Sequence, residues 1–226
     1  MPDYFSHGIA AEVIYEKLNS EYKKKISKTL YLVGAQGGDI FFAYRLKPKN
    51  NLGSELHEKN AAYLFEQLIK GNLSYAAGYA THFALDYTLH PHVFQYEKTR
   101  RSPLAHNSFE SDLGLYISRK FKMRRQILPK DKVLACTSPV YDSMKRVEPL
   151  ITITGVERCL KRHFAWTRYS YGVKRQEYKC KYDFSMLDEK IDEAIELGVK
   201  AVKCVLDMDI DTDVFGGDFH NKELNK

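Results

Sequence analysis

The chain has no run of about 18 apolar residues, so it offers no transmembrane helix. Its opening, Met1-Pro2-Asp3-Tyr4, has no basic segment followed by an apolar one. That argues against a secretory signal and sets the expectation of a cytoplasmic protein. Four cysteines, Cys136, Cys159, Cys180 and Cys204, stand far apart and form no CxxC, so reduced thiols are expected and thiolate metal sites are not. No GKS or GKT follows a glycine-rich turn, which excludes a phosphate-binding loop. There is no internal repeat and no long alternation of apolar and polar residues. With strands unsupported, the fold is expected to be all-α.

What is present fits one domain with ample core: 226 residues, 44% hydrophobic, with 16 Tyr and 12 Phe. We expect a single-domain helical bundle over residues 1–210 and a loose acidic and polar tail over 211–226. The net charge of +6 hides an asymmetry. Residues 116–175 hold 15 Lys and Arg against 4 Asp and Glu, while the remainder holds 20 against 25. A basic region beside an acidic, histidine-rich one suits an anionic substrate, though a solvated surface explains it equally well. Apolar spacing predicts helices near 7–18, 27–33, 56–70, 73–90, 106–125, 140–145, 156–169 and 187–208, with Ser54 capping the third and Pro91 stopping the fourth. The segment 161–169 mixes cations with aromatics; a packed amphipathic helix is favoured over a lipid contact.

Six of the eight histidines fall in residues 7–106. His82, Asp86 and His90 are spaced four apart. On a helix successive members turn by about 40° and rise about 6 Å, so all three leave from one face. His106 and Glu110 repeat the spacing. Gly34-Ala35-Gln36-Gly37-Gly38-Asp39 presents one acid from a tight turn between apolar flanks. With His7 and His57 the candidate ligands number eight: His7, Asp39, His57, His82, Asp86, His90, His106 and Glu110. Nitrogen and carboxylate ligands without thiolate suit zinc better than manganese or iron. Eight exceed what one tetrahedral ion needs, and suit two or three ions set between helices, with Asp86 bridging.

In this order these motifs resemble the zinc-dependent phospholipase C family, whose wider relatives include glycosylphosphatidylinositol phospholipase D and the single-strand zinc nucleases. The resemblance implies that Asp39, His57, His82 and Asp86 hold one zinc, that His90, His106 and Glu110 hold a second, and that His7 and Asp86 hold a third. His90 is preferred to His92 as ligand because it keeps the helical face. The implied activity is hydrolysis of a phospholipid or related phosphodiester, with Asp39 also accepting a proton from the attacking water and with peripheral membrane contact. A zinc-dependent nuclease and a non-catalytic zinc-stabilised binding protein are the alternatives; the preferred reading involves no nucleic acid. An HD-type phosphohydrolase needs an adjacent His-Asp pair, which the chain lacks.

Overall fold

The computed structural model describes residues 4–44, 51–100, 102, 104–124, 127–172 and 178–219. Every regular element among them is helical. In chain order these are α1 (Tyr4–Lys17), α2 (Ser20–Lys24), α3 (Lys28–Gly34), a 3-10 turn (Gly37–Ala43), α4 (Leu52–His57), α5 (Ala61–Leu68), α6 (Leu73–Thr99), α7 (Ala105–Lys120), α8 (Lys130–Ala135), α9 (Thr137–Val147), α10 (Ile153–Gly172) and α11 (Asp188–Leu206), the last preceded by a 3-10 turn at Phe184–Leu187. None is long and apolar enough to cross a membrane. The four cysteines are free thiols.

The fold is built around α6. Asn72 starts it by accepting the Tyr75 N–H at 3.1 Å. Every residue from Ser74 to Asp86 is buried, because α11, α3, α1 and α7 pack around this helix. A helix enclosed on all sides is core. Its polar face, His82, Asp86 and His90, is therefore held away from bulk water on a rigid rod. Tyr31 on α3 adds a cross-tie, donating its hydroxyl to the Ala11 carbonyl of α1 at 2.9 Å.

Three sequence expectations are corrected. Pro91 does not stop α6, which continues to Thr99. Proline lacks the N–H that a helix would pair with the Tyr87 carbonyl; Tyr87, Thr88 and Pro91 line a surface cleft on this side of the helix. The single helix expected over 56–70 is two helices. Asn51, not Ser54, caps α4 by accepting the Ser54 N–H, and Asn60 caps α5 by accepting the Tyr63 N–H. Finally, residues 211–219 are not a loose tail. Gly217 accepts the Ala61 N–H at 2.8 Å, and Phe219 donates its N–H to the His57 carbonyl at 3.2 Å. Phe215 and Phe219 are fully buried against Phe65 and Phe83. Two buried phenyl rings, each contributing roughly 1.5–3 kcal/mol, outweigh the acidic composition around them. Residues 220–226 lie outside the described residues.

Asp112 on α7 is a second buried anchor, away from the histidines. Its Oδ2 accepts the N–H groups of Lys179 and Cys180 at 2.8 and 2.7 Å, tying the segment before α11 to α7. Asp112→Ala leaves both donors short of an acceptor, and we expect it to cost about 2–4 kcal/mol in chemical denaturation while bound metal stays unchanged.

Candidate metal centre

The glycine-rich turn explains how an acid reaches the centre. Gly37 has φ of +46°, a left-handed conformation, and a Cβ there would collide with the His82 ring. A Cβ at Gly38 would meet the His57 ring. The two glycines let the backbone pass directly over the imidazoles, and Asp39 follows, buried, with Oδ1 3.4 Å from His57 Nε2 and Oδ2 3.9 Å from His7 Nε2. Gly37→Ala is expected to cost about 2–4 kcal/mol in thermal stability and to lower metal content, both read on the purified protein.

Five elements converge here: α1 brings His7, the 3-10 turn Asp39, α4 His57, α6 His82, Asp86 and His90, and α7 His106 and Glu110. The structure gathers all eight candidates. Asp86 is central. Its Oδ1 lies 3.4 Å from His7 Nε2 and 3.4 Å from His90 Nδ1; its Oδ2 lies 3.1 Å from His82 Nε2 and 3.4 Å from His57 Nε2. Glu110 Oε1 lies 3.3 Å from His90 Nε2 and 2.9 Å from His106 Nε2. Three groups meet the spacing of a metal site: His7, Asp39 and His82; His57, His82 and Asp86; and His90, His106 and Glu110. His82 belongs to two of them, so the first two form one continuous cluster. His92 points elsewhere, lining the surface cleft with Lys190 and Glu193.

Burial raises carboxyl pKa values and lowers imidazole ones. At Asp86 burial is outweighed by the histidines around it, His82 and His90 first, and the carboxyl falls well below its ordinary value. Asp39 is lowered against burial by His82 and His57, and Glu110 by hydrogen bonds from His106 and His90. His57 is driven up to about 10, against burial, by Asp39 and Asp86. His82 falls to about 3 because burial dominates.

These residues fit zinc. Four ligands at about 2.0–2.1 Å in a tetrahedron stand roughly 3.3 Å apart, and the ring nitrogens of His57 and His82 are 3.1 Å apart. His57 Nδ1 lies 2.7 Å from the Gly53 carbonyl, which takes the Nδ1 proton and turns the Nε2 lone pair inward. Both oxygens of Asp39, Oδ2 of Asp86 and Oε2 of Glu110 are buried and accept no hydrogen bond. Such oxygens are costly without cations to face. A cavity of about 20 Å³ lies between His7, Asp86, His90 and Glu110, large enough for one small species.

Two supporting residues escaped the sequence reading. Glu97 places Oε2 3.2 Å from His106 Nδ1, the usual way to orient a ligating imidazole. It lies seven residues beyond His90 on the same face of α6, a signal hidden by the assumption that Pro91 ends the helix. Phe219 packs edge-on to His57 and tilted against His82, with centroids at 5.7 and 6.0 Å. From Asp39 a cleft of about 730 Å³ opens between the 3-10 turn and α10, lined by Ile40, Phe42, Arg162, His163, Trp166 and Tyr169. His163 bonds Gln36 through Nε2 at 3.2 Å, and burial pushes its pKa down to about 4.

A family model described as zinc dependent phospholipase C matches residues 6–204. No curated protein and no solved structure matches the chain.

Proposed function

The chain belongs to the zinc-dependent phospholipase C family, whose members are phosphodiesterase hydrolases, and from that premise we propose that it hydrolyses the phosphodiester of a phospholipid at a centre of two or three zinc ions. Asp39, His57, His82 and Asp86 hold one ion, His90, His106 and Glu110 another, and His7 with Asp86 the third. Zinc, when bound, supplies Lewis acidity toward a phosphoryl oxygen and acidifies water toward neutrality.

The observation that carries this reading is the position of Asp39. It belongs to a candidate ligand group and also lines the 730 Å³ cleft. Its carboxylate oxygens accept no hydrogen bond, and its lowered pKa keeps it ionised. From there it accepts a proton from a water entering the cleft while the apolar wall excludes bulk solvent. Arg162 at the cleft supplies positive charge for the substrate phosphate.

Zinc-loaded protein should release phosphorylated headgroup from phosphatidylcholine. Cleavage of a single-stranded oligonucleotide with no headgroup release would instead give the nuclease reading. Inertness toward both would leave the binding-protein alternative.

A further inference from the structure

α10 has two unlike faces. Val156, Cys159, Leu160 and Thr167 are buried. Arg158, Arg162, Trp166 and Tyr169 are exposed and recur at steps of four, four and three residues, which keeps them on one side of the helix. Trp166 is 52% and Tyr169 69% exposed, with their rings 6.0 Å apart. Scattered apolar residues on a surface carry no message, but a cluster beside a cleft does. Indole and phenol rings, apolar in body and polar at the tip, suit the boundary between water and lipid.

The cations on this helix are available. Lys161 is taken by Glu157 at 2.6 Å, whereas no ion pair among the described residues takes up Arg158, Arg162 or Arg168. The helix lies in the part of the chain that carries 15 basic residues against 4 acidic. Its exposed face is also continuous with the centre, because Arg162, Trp166 and Tyr169 line the same cleft as Asp39. The protruding aromatics, Arg158, Arg162 and the cleft mouth share one surface.

We propose that this face of α10 docks the protein on a lipid layer containing anionic headgroups. Trp166 and Tyr169 enter the headgroup–acyl boundary, and Arg158 and Arg162 meet lipid phosphates. The cleft then faces the layer, and a phospholipid reaches Asp39 without leaving it fully. The purpose of this surface rests on the phospholipid reading above, but its test does not use turnover.

Trp166 is the single tryptophan of the chain, so its emission reports on this face alone. Zinc-loaded protein is titrated with vesicles of phosphatidylcholine, with and without phosphatidylserine. We expect a blue shift and quenching by acyl-brominated lipid, stronger with phosphatidylserine and weakened by salt. Arg158→Gln with Arg162→Gln should lower affinity for the anionic vesicles about tenfold or more. Tyr169→Ser, which keeps the reporter, should weaken binding to both vesicles. An emission spectrum unmoved by either vesicle overturns the proposal. So does a shift produced by a single-stranded oligonucleotide and not by lipid. Vesicle binding without headgroup release upholds the surface and removes the substrate reading; headgroup release from a short-chain, soluble phospholipid without vesicle binding does the reverse.

Discussion

Asp86→Ala is expected to strip the protein of most of its zinc and to lower hydrolysis roughly 10²–10⁴-fold, the equivalent of breaking a buried charge contact of about 3–5 kcal/mol. Among the described residues no other carboxylate of the centre faces as many imidazoles. One oxygen faces His7 and His90, the other His57 and His82, all within 3.1–3.4 Å. Through His90, Asp86 thus connects the cluster under the glycine turn to the group on α7, the position the proposed bridging role needs. Removing it leaves four imidazoles without their shared anion, with only Asp39 and Glu110 left to supply carboxylate charge to the ions. Asp86→Asn separates charge from shape. It fills the same space, keeps one acceptor oxygen, and should lose metal less completely than Ala while still losing most activity. Metal content by mass spectrometry is the primary reading. An Asp86→Ala protein with its full complement of zinc would contradict the bridging role whatever its activity.

Much of this centre is legible in the chain because the ligands sit on helices at fixed spacing. His82, Asp86 and His90 on one face of α6, and His106 with Glu110 on α7, follow from 3.6 residues per turn alone. The turn at Gly37 and Gly38 is legible as a close approach, although not as one made to His82 and His57 in particular. What failed was local grammar overruled by packing. A proline that normally ends a helix is tolerated inside α6, beside a surface cleft, and the expectation that it stops the helix hid Glu97. Asn51 and Asn60 cut one expected helix into two, so His57 ends a helix instead of beginning one. Phe215 and Phe219 sit among acids and glycines, and only the tertiary structure shows that they bury their rings behind His57 and His82. The cation-rich, aromatic segment near 161–169 is legible as a packed amphipathic helix, and α10 is one, with Val156, Cys159, Leu160 and Thr167 buried and Trp166 and Tyr169 exposed.

Removing zinc with a chelator should lower the melting temperature by roughly 15–30 °C. Each ion held at about a thousand times its dissociation constant stabilises the folded state by about 4 kcal/mol. Two ions give roughly 8 kcal/mol, against a total of about 5–15 kcal/mol for a typical domain. For a chain of this size each kcal/mol moves the midpoint by about 2–4 °C. The gap also depends on pH, with a sign the buried groups fix. In the metal-free protein His57, raised from 6.5 to about 10, contributes stability that is fully present below pH 6.5 and is lost as pH rises through 10. The depressed carboxyls of Asp39, Asp86 and Glu110 contribute above their ordinary values and lose that contribution only on acidification. Zinc needs the His57 Nε2 lone pair that the proton occupies, so its binding strengthens over the same rise. The chelated protein should therefore weaken, and the zinc-loaded protein gain relative to it, from about pH 6.5 upward. Paired melting curves with and without chelator across that range decide the matter: a midpoint indifferent to chelation, or a gap that narrows as pH rises, would show that zinc does not replace that proton.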